Sequence, residues 1–583
     1  MTRNKIFILA LMPLILGACQ NTNNSESFSS SLSEQQKENV FELHTSPFYN
    51  PKYSASDRSY IEEKVADFTY GAWSDDPFII YMSLDTALNY LFDNVSEIKG
   101  ENTLTYNCPD DLSFIVNKAG QTITAKNYDE INLFSKKHDT KMGMIDEETT
   151  RNYVVNNEHV YTGGEDVVFD LGAYHLEIYE HESKYYIPFS VVNVLTFNYA
   201  LWSSVNFNGT AFYLLDMIEG VAGLGGPSNT YMNHFYQGEF RKQNLRKNAN
   251  FVEFNYNAFM FQLDYYYGFR DEKMVPFNDY LTENYPDVVT MLKSDNETNY
   301  CRGVEKIMEE IIGDGHTNTG RASSACSSGS FTPGNYASER TIQLSNDVYD
   351  CYMRRYQALG QSFSNVRYSG NTAIISFDGF YHAGKNFTKT NISKYTDDDG
   401  FALFYSCFKS INSKSNVENI IFDITCNGGG DTNALIPMLA FLMQKVEMTM
   451  YSPLTKLTAK LSYSVDTNLD GAYDENDCYQ DRYNFYILTS HYSFSCANLF
   501  PQIAKETGSA KIIGEQSGGG ACVVYYSATP DGKTYRISSN SRDGRPENPV
   551  QHRDDGIPVD YELSREYFYN DSYLNTFVNS LSN

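Results

Sequence analysis

Beyond its first 19 residues, the 583-residue chain contains no apolar run near the roughly 20 residues that a membrane-spanning helix needs. The remainder is therefore expected to fold outside the bilayer. Basic residues are scarce: Lys plus Arg number 45 against 73 Asp plus Glu, and the net charge of -28 repels phosphate backbones, which excludes nucleic acid as a partner. Trp occurs only 2 times, whereas Tyr at 47 and Phe at 37 suit aromatic cores and grooves without naming a ligand. The cysteines after Cys19 (Cys108, Cys301, Cys326, Cys351, Cys407, Cys426, Cys478, Cys496 and Cys522) include no C-x-x-C pair, which argues against a zinc ribbon or a thioredoxin-like redox site. Their odd count leaves at least one thiol free. What is present is a globular composition, 41% hydrophobic and 20% charged, in a chain long enough for two to four folded units.

Residues 1–19 have the three parts of a bacterial export signal: Arg3 and Lys5, an apolar run from Ile6 to Leu16, and small residues leading to Cys19. Leu16-Gly17-Ala18-Cys19 resembles the lipobox of lipoproteins, which implies acylation of Cys19 and an extracytoplasmic protein anchored in the bacterial cell envelope by its N-terminal lipid. An ordinary secretory signal or an uncleaved anchor is the other reading. A polar tether is expected over residues 20–56, beginning with the Ser/Asn-rich stretch from Gln20 to Ser33.

Residues 57–235 mix short helical and strand-like runs and read as an α+β accessory domain. Alternation at Leu176 to Tyr179 and at Tyr185 to Ile187 predicts a hairpin, with a short helix from Ser190. Residues 236–335 read as a helical segment, in which apolar residues recur at helical spacing from Phe251 to Ile312 and stop at Gly313-Asp314-Gly315-His316. From residue 336 to 583 strands and helices alternate: Thr372 to Phe377, Asp399 to Asn412, Ile420 to Ile424, a helix from Asn433 to Val446, Tyr483 to Ser490, a helix after Ser495, and Ala510 to Glu515. That half is α/β, with an acidic insertion at 451–483.

Two places in it could carry chemistry. The turn Cys426-Asn427-Gly428-Gly429-Gly430-Asp431 lies between a strand and a helix, where backbone amides can meet an anion or a developing oxyanion, although it has neither the Lys of a Walker loop nor a dinucleotide-binding glycine spacing. Ser495 lies between a strand end and a helix start, as an exposed nucleophile would, and equally as a helix N-cap would.

The run Ile420 to Gly430 (IIFDITCNGGG), the segment Thr489 to Asn498 (TSHYSFSCAN) and the segment Ala510 to Gly520 (AKIIGEQSGGG), in this order, resemble the C-terminal processing, or tail-specific, serine peptidases, whose relatives include the tricorn core peptidase and interphotoreceptor retinoid-binding protein. The resemblance covers roughly Ile311 to the C-terminus and implies a crotonase-like α/β spiral with Ser495 as nucleophile. Where the Ser-Lys branch of the family has its lysine this chain has Gly520, and neither Lys511 nor Lys533 falls at that place. Gly313 to Thr317 resembles the D-G-H-T segment of the tricorn-like branch, which makes His316 the general base. His552 to Leu563 resembles the terminal segment that supplies the carboxylate, here Asp555 or its neighbour Asp554. The oxyanion would be met by backbone amides of Gly428, Gly429 and Cys496, and His491 is a rival base four residues before Ser495.

Independently, Asp466, Asn468, Asp470, Ala472 (through its carbonyl), Asp474 and Asp477 fit a twelve-residue calcium-loop spacing with Gly471 at position six, so a structural calcium in an acidic insertion is expected, with no cofactor for catalysis. The sequence thus points to an exported, lipid-anchored serine endopeptidase acting on exposed or unstructured polypeptide, with an inactive binding or scaffolding protein on the same fold as the alternative.

Overall fold

The run Asn419–Asp423 (NIIFD) has all five residues buried, as a strand covered on both faces requires. It sits inside a six-stranded sheet ordered Val366–Ser369, Thr372–Ser376, Asn419–Asp423, Asn484–Thr489, Lys511–Gly514, Tyr561–Glu562. The first pair is antiparallel and every later pair is parallel. Alternation sorts the strand's side chains to two cores. Ile420 and Phe422 join Phe404, Phe408 and Phe500 beneath the helices Gly400–Asn412 and Cys496–Glu506. Ile421, from the opposite face, joins Ile374, Tyr486 and Leu488 under Leu574 and Val578 of the C-terminal helix Asp571–Leu581.

The computed structural model describes residues 39–54, 59–129, 131, 151–157, 159–201, 204–215, 238–243, 245–273, 276–319, 336–544 and 553–581. The export signal with Cys19 lies outside the described residues. No helix among the described residues is long and apolar enough to cross a membrane.

A second, antiparallel layer runs beside the parallel sheet: Val446–Tyr451 pairs with Leu457–Val465 and with Thr534–Asp543, and the latter pairs with Cys522–Ala528. Leu457–Val465 also receives the short strands Val154–Asn156 and Val160–Gly163. The stretch read as an insertion at 451–483 therefore supplies an inner strand that ties the two halves of the chain together. The helix expected over 433–446 spans only Thr432–Leu439, with Pro437 inside it, and Val446 already begins a strand.

In the N-terminal half, seven strands form one sheet and five form another. The expected hairpin is present as Tyr179–His181 and Lys184–Pro188, followed by the helix Phe189–Asn193. The expected tether ends earlier than residue 56, because Phe41–Ser54 is a strand paired along its length with Ser59–Trp73. Phe41 and Phe48 are buried there and fix its register. The helical segment breaks at Pro276 and Pro286 into Ala249–Tyr266, Phe277–Asn284, Pro286–Leu292 and Glu297–Glu305, which runs on through a wider turn to Ile312. Its core is continuous with Tyr525, Tyr535 and Ile537 of the antiparallel layer. Cys301 in this segment is disulfide-bonded, whereas the other seven described cysteines form no disulfide.

Candidate active site

Ser495 is presented by a strand, a tight turn and a helix. The strand Asn484–Thr489 is buried, and beyond it two buried serines tether the turn to its neighbour: Ser490 Oγ donates to the Thr425 carbonyl at 2.7 Å and Ser493 Oγ to the Ile424 carbonyl at 2.8 Å. The Ser495 amide donates to the Gly519 carbonyl at 2.8 Å. Held at these points, Ser495 adopts φ 59° and ψ -122°, a conformation that costs a non-glycine residue about 1 to 3 kcal/mol. A strained serine on a strand-to-helix turn is the geometry that pushes a nucleophile out of its turn. The N-cap reading fails: Ser495 occupies the cap position of Cys496–Glu506, but its side chain makes no cap hydrogen bond. Ser495 lines a cleft of about 300 Å³. The neighbouring Cys496 is no competing nucleophile, because burial pushes its thiol pKa well up.

The glycine turn packs directly against this serine. Asn427, fully buried, caps the turn by accepting the Gly429 amide at 2.9 Å and donating to the Phe377 carbonyl at 3.2 Å. Gly429, at φ 106°, leaves no room for a side chain, since a Cβ there would lie 2.7 Å from Ser495 Cβ and 3.1 Å from the Cys496 amide nitrogen. Of the amides expected at an oxyanion, that of Cys496 stands in the cleft wall, that of Gly429 is committed to Asn427, and Gly428 lies under the Tyr492 phenol, outside the cleft lining. Gly430, not singled out in the sequence, lines the cleft with Ser495 and Cys496, and its amide has no acceptor among the described residues.

His316 arrives from the end of the helical segment. Gly313, at φ 46°, ends the last turn, and Asp314 Oδ1 then accepts the amides of His316 at 3.1 Å and Thr317 at 2.8 Å. Arg536 Nε donates to the His316 carbonyl at 2.6 Å. The imidazole is 5% exposed and meets the ring of Phe494, the residue before Ser495, edge-on at 4.7 Å. Burial pulls its pKa down to about 4, against the opposing pull of Asp314, so the ring is neutral at neutral pH, the protonation state of a general base. Its Nδ1 has no hydrogen-bond partner, and no hydrogen bond joins His316 to Ser495.

The two candidate acids separate cleanly. Asp555 is exposed, and only its backbone carbonyl is engaged, by Gln516 Nε2 at 2.7 Å. Asp554, 5% exposed, is one of the two carboxylates that act on His316, the other being Asp314, and it pairs with Arg340 at 2.6 Å. The short helical turn Arg553–Asp555 sends neighbouring side chains apart, with Asp554 buried and Asp555 exposed. His491 makes no bond to Ser495. Phe494, inside the segment Thr489 to Asn498, and Arg340, which no motif reveals, complete the setting of His316.

The acidic loop folds onto its own backbone. Asp466 accepts the amides of Asp470 at 3.0 Å and Gly471 at 2.8 Å, Asp477 accepts those of Thr467 at 2.8 Å and Asp474 at 2.9 Å, and Asp470 accepts that of Ala472 at 2.9 Å. Asp474 caps the short turn Glu475–Asp477, and the Asn468 amide bonds Asp477. These acids spread along the turn, and among the described residues no group of three or more His, Cys, Asp or Glu is placed to hold a metal ion.

Residues 375–562 match the model of peptidase family S41, which spans the glycine turn, Ser495 and Asp554. The matched family is one of serine peptidases. Among solved structures, it is similar to a protein from Parabacteroides merdae assigned as a peptidase, at 17% identity and TM-score 0.37, over 57% of this chain and 96% of that one. It is similar also to the photosystem II D1 C-terminal processing protease, at 18% identity and TM-score 0.25, over 35% of this chain and 47% of that one. The tricorn protease is matched at 10% identity and TM-score 0.25, over 93% of this chain and 59% of that one. The chain thus spans about half the length of the latter two. No curated protein matches it.

Proposed function

We propose that this chain is an exported, lipid-anchored serine endopeptidase that cleaves exposed or unstructured polypeptide through an acyl-enzyme, on a crotonase-like spiral. The observation that carries this reading is the strained backbone of Ser495, a residue that lines the cleft and whose hydroxyl is not spent on capping. In the first step Ser495 Oγ attacks the scissile carbonyl and its proton passes to His316. The oxyanion is met by the amides of Cys496 and Gly430, and the imidazolium is stabilised by the nearby carboxylates of Asp314 and Asp554. His316 then gives the proton to the leaving amine, and water, deprotonated by the same ring, releases the acyl group and restores Ser495.

The missing hydrogen bond between His316 and Ser495 favours the alternative, a binding protein on the same fold. Digestion of a mixed unstructured peptide pool, read by mass spectrometry, separates the two. Cuts that disappear with Ser495→Ala support the peptidase, and a folded wild-type chain that makes no cut refutes it. Lipid anchoring rests on the lipobox-like Leu16 to Cys19 and on no other feature. Metabolic lipid labelling that survives Cys19→Ser would remove it.

A further inference from the structure

The first turn of the helix Glu339–Leu359 lies where the segments of His316, Asp554 and Ser495 converge. Its cap, Ser338, is fastened to the histidine loop. The Ser338 amide donates to the Glu309 carbonyl at 2.7 Å and its hydroxyl to the Gly313 carbonyl at 2.8 Å, while the same oxygen accepts the Thr341 amide at 3.1 Å. Arg340, two residues on, reaches the other segments. Its Nη1 donates to Asp554 Oδ2 at 2.6 Å, and its Nη2 donates to the Gly518 carbonyl at 2.7 Å and to the carbonyl of Asp554 itself. Gly519, the next residue, holds the Ser495 amide and bridges to Phe494, and a Cβ on it would lie 2.5 Å from Arg340 Nη2. The Phe494 ring has the guanidinium carbon 5.6 Å from its centroid and the His316 imidazole at 4.7 Å. Arg340 is not among the described residues that wall the cleft, so it acts on the reaction through these partners.

We propose that Arg340 is a positioning residue, whose planar guanidinium sets Asp554, the Gly518–Gly519 turn and Phe494 in one arrangement and so holds Ser495 and His316 in place for acylation; the proposal rests on the serine-peptidase reading of Ser495. A guanidinium fork makes two divergent bonds in one plane, which a lysine ammonium on the same helix does not reproduce. The role is also electrostatic. His316 is faced by the carboxylates of Asp314 and Asp554 and by the cations Arg536 and Arg340, so the charge of Arg340 offsets that of Asp554 at the imidazole. Its removal favours the imidazolium in the free enzyme, and the base is then lost to protonation at a higher pH.

The test measures kcat and KM against pH for one cleaved peptide, in the full chain and in Arg340→Gln, Arg340→Lys and Arg340→Ala. In Arg340→Gln the expected kcat is lower by about 100-fold, as a small misplacement of reacting groups produces, with KM within about threefold of the wild type. The acid limb of its profile moves to higher pH. Arg340→Lys keeps the acid limb in place and retains no more than about a tenth of the wild-type kcat. Methylguanidinium added to Arg340→Ala raises kcat, whereas methylammonium does not. An unchanged kcat and acid limb in Arg340→Gln, or a loss that leaves the acid limb in place and that methylguanidinium does not reverse, makes Arg340 a structural contact only and overturns the proposal. Full kcat in Arg340→Lys overturns it too, and this variant decides where urea unfolding shows that Arg340→Gln does not fold. Labelling of wild-type Ser495 by a fluorophosphonate, run in parallel, keeps the two readings apart. A folded wild-type chain that neither labels nor cleaves overturns the peptidase reading, and the role of Arg340 with it.

Discussion

The turn that carries Ser495 and the turn that carries His316 are built by opposite means. Around Ser495 the hydrogen bonds come from other segments: Ser490 and Ser493 reach to Thr425 and Ile424, and Gly519 holds the Ser495 amide, so a strained backbone persists and the hydroxyl is left over. Around His316 the bonds are mostly local: Asp314 caps the turn that bears the imidazole, and the ring itself is held by burial and by Phe494 rather than by the nucleophile. Ser495 is fixed by tertiary structure and His316 by its own loop. The glycine-turn side therefore tolerates little change, whereas the histidine side is tuned by neighbouring charge.

Substitutions can break that contrast. The largest effect is expected from Gly429→Ala: a Cβ at φ 106° and 2.7 Å from Ser495 Cβ displaces one turn or the other. Loss of about 100-fold or more in kcat, read on any cleaved peptide, is expected from a displaced oxyanion site. On the histidine side the effect is one of pH. The folded pKa of about 4 lies below the ordinary 6.5, so the unfolded chain binds a proton that the folded chain does not. Stability from this group is present above about pH 6.5 and falls away toward pH 4, by up to about 3 kcal/mol. Urea unfolding across that window should steepen for the wild type and flatten for His316→Asn.

Asp554→Asn leaves Arg340 without its carboxylate and removes one charge acting on His316. With Arg340 a quarter exposed, a cost of about 2 kcal/mol in urea is expected, together with a shift of the acid limb of the pH–rate profile to lower pH. Asp555→Asn, at an exposed side chain, is expected to change stability by no more than about 0.5 kcal/mol and to leave that profile where it was. Equal effects of the two substitutions would reverse the choice between the acids.

The same contrast governs what could be read from the sequence. The strand, glycine turn and helix around Ile420 to Asp431, and the strand before Ser495, are contiguous and strongly patterned, so their form was legible. Whether Ser495 capped its helix was not, because a cap and a nucleophile occupy the same place and differ in φ and ψ. Asp554 and Asp555 are adjacent, and only the direction of a short helical turn separates them. Phe41–Ser54 is too polar to announce a strand, although Phe41 and Phe48 anchor it. The calcium-like spacing of Asp466 to Asp477 is real, yet the same acids that would bind an ion can bond the turn's own amides, and spacing does not distinguish the two. Arg340 gained its place beside Asp554 through long-range packing, which no local pattern records.

The central claim is that Ser495 and His316 act as one unit although no hydrogen bond joins them at rest. The rate of acylation of Ser495 by a fluorophosphonate, measured in the wild type, His316→Ala, Ser495→Ala and the double variant, tests it directly. Acylation that falls by about 100-fold or more in His316→Ala, with hydrolysis of peptide no lower in the double variant than in either single one, is the expected result. Acylation at the wild-type rate in a folded His316→Ala chain would contradict it.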